Sequence, residues 1–306
     1  MRIFYIIILS FFTTSLYADW RNQAASKSID EISKKTSKFV SGLIPGEGLT
    51  EVDIDMRDTN ILRKVDRGGN SNFQFSILGV RDIVLKESSN LFTQFSLHNQ
   101  DINDDQRIIG NLGLGYRFLN SDQSMMFGAN TFYDQDLSEG HKRLGAGLEA
   151  RAAKLDFNYN LYQKATNQRI VSGTKEQTLS GQEYNVSSQI PYMPWATFNY
   201  QGYRWENEKA DQDTKGNILS LEMILNPSLR FTAEKDKSDV DGQENLYNYK
   251  LTLIYPPKNN KASLLDGVTA QEAFVKKDMQ ASLRDKVRRN NNLAVEIQGG
   301  IIVTKK

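Results

Sequence analysis

The chain has 306 residues, a formal net charge of +1 and 25% charged side chains, so no global electrostatic bias points to nucleic acid or to an acidic partner. It has no cysteine and only two histidines, His98 and His141, which removes disulfide scaffolds, thiol chemistry and zinc sites of the usual His/Cys type. The length is ample for one large β domain or two ordinary domains and does not choose between them.

The first eighteen residues, MRIFYIIILSFFTTSLYA, carry a basic Arg2, an apolar run from Ile3 to Phe12 and a small Ala18 before the polar DWRNQ. This pattern predicts a signal peptide over residues 1–18 and hence export. In the next stretch, SIDEISKKTSKFVSGL spaces Ile29, Ile32, Thr36, Phe39 or Val40 and Leu43 along one helical face, with Gly42 and Pro45-Gly46 to stop it. Residues 19–48 therefore read as a periplasmic amphipathic segment.

From Thr50 to Tyr255 the dominant period is two. In RIIGNLGLGYRF, Ile108, Leu112, Leu114, Tyr116 and Phe118 oppose Arg107, Asn111, Gly113, Gly115 and Arg117. In KRLGAGLEARA, Leu144, Ala146, Leu148 and Ala150 oppose Arg143, Gly145, Gly147, Glu149 and Arg151. In KLDFNYNLYQK, Leu155, Phe157, Tyr159 and Leu161 oppose Lys154, Asp156, Asn158 and Asn160. One face is apolar and the other polar, as in a strand with one face on lipid and the other on a lumen.

Twelve such segments are predicted, near residues 50–57, 72–81, 90–99, 107–118, 124–134, 142–151, 154–163, 182–190, 196–205, 217–225, 228–235 and 245–255. No later run is long and apolar enough for a membrane helix, so entry into a membrane would be as a β-barrel. Connections after odd-numbered segments are long and polar, as in KATNQRIVSGTKEQTLSG and ENEKADQDTKG, and those after even-numbered ones tend to be short, as in NSDQ, AAK, PYMP and NP. That alternation is a barrel trait, and an even strand count leaves both chain ends on the periplasmic side. A soluble β-sandwich shares the alternation of faces but predicts no such loop rule. Tyr133, Tyr192, Trp195, Tyr203, Trp205, Tyr247 and Tyr255 fall towards segment ends, where an aromatic girdle would sit.

After the last strand, PPKNNKASLLDG breaks the pattern and Thr269 to Glu272 has capping-box spacing. Val275, Met279, Leu283 and Val287 then recur four apart, which predicts a helix of about twenty residues, about 30 Å long. The run VRRNNNLAVEIQGG follows, and residues 256–306 as a whole read as a linker or lumen plug after a barrel at 49–255.

These residues resemble the membrane domain of the inverse autotransporters, the invasin and intimin family. MFGANTFYDQDLSEGHKRLGAGLEA (Met126 to Ala150) is similar to the middle of that domain, NLGLGYRF precedes it, and VRRNNNLAVEI stands where the family has RNNN after its barrel. The resemblance spans about Gly48 to Ile297 and implies a twelve-stranded outer-membrane barrel that exports and anchors a C-terminal passenger of adhesion modules, a form of type V secretion in Gram-negative cells. It implies a linker at Arg289, Asn290, Asn291 and Asn292. The chain departs from the family in having no recognisable passenger after Lys306 and in carrying Lys250 in the last strand, where many members have Gly.

Residues with catalytic or metal potential have plainer readings. His141 lies among Asp134, Asp136, Ser138 and Glu139, a superficial match to barrel hydrolases, but it sits inside the family stretch. DKSDVDGQE has Lys237 where a calcium loop needs its first ligand, and reads as a hairpin tip.

The expectation is thus a non-enzymatic outer-membrane barrel without cofactor. Its lumen would be lined by Arg107, Asn111, Gly113, Gly115, Arg117, Arg143, Gly145, Gly147, Glu149, Asp156 and Asn158, with the glycines making room for a threaded segment. Its partners would be outer-membrane lipid, the barrel-assembly machinery and periplasmic chaperones, with a host-cell surface or a separately encoded passenger beyond; nucleic acid is not expected. A channel plugged by its own tail and an adhesin acting through its loops are the rival readings. On the lipid face Leu148→Arg should be costly, and in the lumen Asn158→Arg should be mild.

Overall fold

The computed structural model describes residues 47–57, 73–103, 105–210, 212–240, 245–258, 261–264, 268, 272–297 and 300–302, together with 31, 34, 35 and 38. Its main body is a closed antiparallel barrel of twelve strands. In chain order these are β1 (Gly48–Arg57), β2 (Phe73–Lys86), β3 (Ser89–Ile102), β4 (Asp105–Leu119), β5 (Met125–Asp136), β6 (Lys142–Ala152) and β7 (Leu155–Lys164). After an inserted hairpin, β8 (Arg169–Val171) and β9 (Thr174–Thr178), come β10 (Ser180–Ile190), β11 (Met193–Glu206), β12 (Thr214–Asn226), β13 (Leu229–Ser238) and β14 (Leu246–Tyr255). Strand β1 closes the ring on β14, with Thr50 opposite Tyr255 and Arg57 opposite Asn248.

Every expected segment coincides with a barrel strand, and most strands extend beyond it. The turns at the proximal end, where Gly48 and Tyr255 meet, are tight: residues 87–88, 120–124, 153–154, 191–192 and 227–228. At the distal end the connections 165–179, 207–213 and 239–245 are longer, whereas 137–141 equals the longest proximal turn and 103–104 between β3 and β4 is short. The longest described one, 165–179, contains the β8–β9 hairpin, whose turn residues Ser172 and Gly173 both have positive φ (50° and 82°). Two such residues match the right-handed twist of the strands, so this polar loop folds as a hairpin.

Strand alternation produces an inside-out protein. Along β4 the odd-numbered residues from Arg107 to Leu119 are buried and most even-numbered ones are exposed. Leu148, Leu112 and Leu144 are exposed at 61%, 54% and 49%, whereas Arg107, Arg117 and Arg143 are buried at 1%, 0% and 0%. A water-facing surface would hide those leucines and wet those guanidinium groups, whereas hydrocarbon demands the reverse. The girdle expectation needs correction at three positions. Trp195, Tyr203 and Trp205 are buried on the inner face, and Trp205 packs on Tyr162 with ring centroids 5.3 Å apart.

The C-terminal segment also differs from expectation. Helix α1 is a single turn, Met279–Ser282, capped by the Asp278 carboxylate accepting from the Ala281 N–H at 3.1 Å. It tightens into i−3 bonds as far as Asp285 and ends. Met279, Leu283 and Val287 are buried, but the apolar spacing reflects packing against the barrel rather than a continuous helix. Beyond α1 lie two short strands, β15 (Val295–Ile297) and β16 (Gly300–Ile302), which join β9 and β8 in a second sheet of order β16-β15-β9-β8. In the N-terminal segment Glu31, Lys34, Lys35 and Lys38 are helical and exposed, while its apolar positions, the leader and the 241–244 tip lie outside the described residues.

A candidate conduit and the segment threaded through it

The segment from Leu283 to Ala294 enters the barrel at the proximal end and leaves at the distal end, because its backbone polar groups find partners on the inner wall in place of a helix ladder. Arg117 donates to the carbonyls of Leu283 (3.1 Å) and Asp285, and Arg151 donates to that of Lys286 (3.0 Å). The Val287 N–H donates to the Gln94 side-chain oxygen at 2.8 Å, and Asn160 donates to the Arg288 carbonyl at 2.9 Å. The Asn290 N–H is shared between the Tyr162 hydroxyl (2.9 Å) and Glu183 (2.8 Å), while Arg143 donates to the Asn290 carbonyl at 2.8 Å. Gln100 grips Leu293 on both sides, accepting from its N–H and donating to its carbonyl, each at 2.9 Å. Buried peptide groups need partners, and here wall side chains supply them residue by residue.

The charged side chains of the segment are anchored to different walls. Asp285 pairs with Arg151 of β6 (3.1 Å), Lys286 with Glu51 of β1 (2.6 Å), Arg288 with Glu222 of β12 (2.6 Å) and Arg289 with Asp134 of β5 (2.6 Å). The Arg289–Asp134 contact is bidentate and fully buried, and Asp134 also holds Arg143 at 2.8 Å. Pairing in several directions centres the segment, and each carboxylate offsets the burial of a guanidinium or ammonium group.

The polar residues named from strand alternation fall on this wall in distinct roles. Arg107 forms a bidentate pair with Glu176 of β9 (2.6 and 2.8 Å). Asn111 joins Asp134 (2.7 Å) to the Asn291 carbonyl (3.1 Å). Glu149 binds Arg117 and Arg151, with Asn158 at 3.5 Å, and Asp156 takes Lys277 at 2.7 Å. Within the linker, Asn290 caps the Asn292 N–H through its side chain (3.1 Å) and Asn291 accepts from Arg289 (3.0 Å).

The glycines serve a different neighbour than expected. A Cβ at Gly113 would stand 2.3 Å from the Phe132 ring, and one at Gly115 would stand 2.3 Å from the Phe92 ring. At Gly147 it would meet Asn160, and only at Gly145 does it approach the linker, 3.3 Å from Arg289. Gly113 and Gly115 thus admit aromatic rings from adjacent strands, and the arginines stack on those rings: Arg289 over Phe132 at 4.1 Å and Arg117 over Phe92 at 4.4 Å.

Gln94, Gln100, Asp134 and Glu183 also hold the segment, and none of them is among the lumen-facing residues expected from the sequence, although each shares the inward parity of its strand. Their contacts with the segment are across the lumen, 107 to 193 positions away in the chain, and no local pattern encodes them. Beside the segment two cavities of about 430 and 170 Å³ remain, the larger lined by Glu51, Arg151, Glu222, Arg230, Lys258 and Arg288.

At the distal exit the segment joins the second sheet. The Leu179 N–H donates to the Ala294 carbonyl at 2.9 Å, and Val295, Glu296 and Ile297 pair with Thr178, Gln177 and Glu176. Glu296 accepts the N–H groups of Glu208, Lys209 and Ala210 at 3.1, 2.8 and 3.1 Å. Glu296→Gln should therefore weaken this clamp by about 1–3 kcal/mol, read as faster amide exchange at those three residues.

Glu176 of β9 and His141 are both buried, with His141 Nε2 3.3 Å from Glu176 Oε2. His141 is thus packed as a structural neighbour of the Arg107–Glu176 pair. Burial works to raise the Glu176 carboxyl, but the hydrogen bonds of His141 and Arg107 and their charges overcome it and set its pKa at about 2. A carboxyl depressed in the folded state contributes stability that is full above its ordinary value of 4.5 and is lost as pH falls through about 2. Pepsin cleavage within 165–179 should accordingly rise as the pH is lowered from about 4 to below 2, and Glu176→Gln should be cleaved readily at the upper end of that range.

The inverse autotransporter β-domain model matches residues 13–291. The chain belongs to that family. The β-domain is 26% identical over 215 residues to the inverse autotransporter adhesin YeeJ of Escherichia coli K12, covering 67% of this chain and 9% of the adhesin. It is 31% identical over 146 residues to the invasin of Yersinia enterocolitica, covering 46% of this chain and 16% of the invasin. The chain thus spans a small part of these relatives. A solved membrane-protein chain from work on in-meso crystallization superposes with a TM-score of 0.64 at 18% identity, covering 82% of this chain and 100% of that one, which shows the shared fold. Family and inside-out barrel together make this an outer-membrane β-domain of the inverse autotransporter type.

Proposed function

We propose that this β-domain is an anchor and conduit that carries its own C-terminal segment across the outer membrane and holds it there. The observation that carries the reading is the continuous strap from Leu283 to Ile297, bonded to the inner wall and then paired with β9 beyond it. In this reading residues 1–18 are a signal peptide, 19–48 a periplasmic segment, 49–255 the barrel and 256–306 the linker. The proximal end faces the periplasm and the distal loops face outward. In this reading the lumen performs no catalysis: Asp134, Glu149 and Glu222 are paired with arginines, and Asp53 and Glu183 are held by hydrogen bonds from neutral groups. Outer-membrane lipid, the barrel-assembly machinery and periplasmic chaperones would serve its insertion, and a passenger or a host surface would be met beyond the distal end.

The experiment is an epitope-bearing β module fused after Lys306. Antibody access in intact cells supports a conduit, and access only after the outer membrane is opened contradicts it. A plugged channel is a second reading, favoured by the cavities beside the segment. A large steady conductance of the unfused chain in planar bilayers would select it.

A further inference from the structure

The outer face of the barrel is not uniform where its apolar band ends at the distal side. On β3 to β7 and β10 the outward positions at this level are mostly amides: Asn99, Gln106, Gln135, Gln163 and Gln182, with Lys142 among them. On β11 to β13 they are cations: Arg204, Lys215, Lys235 and Lys237, all exposed. The register brings them together. Arg204 lies opposite Lys215, Lys237 opposite Asn217, and Lys235 opposite Leu219 on one side and Tyr247 on the other, with its ammonium 5.9 Å from the Tyr247 ring centroid. Directly opposed residues stand about 4.5–5.5 Å apart and same-face neighbours on one strand about 6.5–7 Å apart, so adjacent ammonium groups can reach one phosphate.

The apolar surface lies on the proximal side of the cluster: Leu219 on β12 is level with Lys235, Tyr249 on β14 is one outward position beyond Tyr247, and Phe198 on β11 is further down, exposed at 38%, 36% and 46%. These cations therefore sit at headgroup level, since a charge on the lipid face is strongly destabilising at the midplane and tolerated near the interfaces. Among the described residues Asp213 answers Arg204 at 2.5 Å, Glu206 stands two positions from Arg204 on the same face, and Asp239 lies opposite Lys215, to whose carbonyl its N–H donates at 2.8 Å; Lys215, Lys235 and Lys237 have no ion-pair partner within 4 Å. Cations in this arc thus outnumber their acidic neighbours, and the three unpaired lysines leave positive charge that favours an anion from outside the protein.

We propose that the outward cations of β11 to β13 form a docking site for the phosphate groups of a phosphorylated glycolipid in the outer leaflet. The leaflet assignment rests on the orientation given above, with the distal loops outside; the phosphate chemistry does not. Basic residues at a membrane surface attract anionic headgroups, and Tyr247 beside Lys235 supplies the amphipathic contact for the sugar-proximal region.

The test is native mass spectrometry of the full chain in a neutral detergent, titrated with a bis-phosphorylated diglucosamine lipid and with its dephosphorylated form. The triple variant K215Q/K235Q/K237Q should lose affinity for the phosphorylated lipid by about fivefold per lysine, while the equal-charge control K86Q/K142Q/K175Q retains it. Both variants should keep the heat-modifiable gel mobility of a folded barrel and bind the dephosphorylated lipid alike. Unchanged affinity in the first triple, or equal loss in the control, overturns the site. Displacement of the lipid by inorganic phosphate would make it a free-anion site and overturn lipid docking. Micelles have no sides, so these outcomes are independent of orientation. Orientation is read separately by labelling Ile170→Cys in intact cells, and a label reached only from the periplasm would overturn the outer-leaflet assignment alone.

Discussion

Asp134→Ala should release the threaded segment. Asp134 is completely buried and is the shared carboxylate of Arg289 on the segment and Arg143 on the wall, at 2.6 and 2.8 Å. Removing it leaves two buried guanidinium groups without a counter-charge, a change that costs about 3–5 kcal/mol when one partner of a buried pair is lost. Arg289→Ala removes the same contact from the other side but leaves the Asp134–Arg143 pair intact, so its cost should be clearly smaller. Proteolysis of Asp285 to Leu293 in detergent separates these cases: rapid cleavage is expected for Asp134→Ala and slower cleavage for Arg289→Ala. A double-mutant cycle should show strong coupling, since the two residues share one bond.

The second large effect is on the lipid face. Leu148, 61% exposed, lies on β6 between Ala129 of β5 and Tyr159 of β7. Leu148→Arg should destabilise the barrel by about 2–4 kcal/mol if it lies near the midplane, measured as the denaturant midpoint of folding into vesicles. The sequence suggests that Asn158→Arg in the lumen should be tolerated, but the structure revises that expectation. Asn158 is fully buried beside Glu149, which already holds Arg117 and Arg151. A third guanidinium there must displace packed neighbours, so Asn158→Arg should impair assembly, and Asn158→Ala should be the milder change.

The contrast between Leu148 and Asn158 shows what strand periodicity can reveal. A period of two assigns Leu148 outward and Asn158 inward, because alternation is a local property of extended backbone. It cannot say whether the inside is water or protein, since that depends on what fills the lumen. The segment that fills it lies more than a hundred positions away, and its wall contacts, Gln94 to Val287 and Gln100 to Leu293, join residues 193 positions apart. The same limit explains the C-terminal helix. Met279, Leu283 and Val287 have helical spacing, yet Arg117 and Arg151 take the carbonyls that a longer helix would use. The β8–β9 hairpin had a legible turn in Ser172-Gly173, but its pairing with β15 did not, because polar loop residues carry no apolar pattern to fix a partner. Trp205 shows the reverse case: strand-end position suggested a girdle, whereas inward parity and Gly181 opposite place it inside.

The absence of native cysteine allows a direct measurement of the central claim, that the C-terminal segment is threaded through the lumen. Single cysteines at Ile170, 73% exposed on the distal hairpin, at Leu264, 41% exposed beyond the last strand, and at Leu293, fully buried in the exit, can each be treated with a membrane-impermeant maleimide in sealed vesicles. Threading predicts that Ile170→Cys and Leu264→Cys react from opposite sides of the membrane and that Leu293→Cys reacts from neither until Gln100 and Asp134 are replaced. Rapid labelling of Leu293→Cys in the otherwise unaltered chain would contradict it.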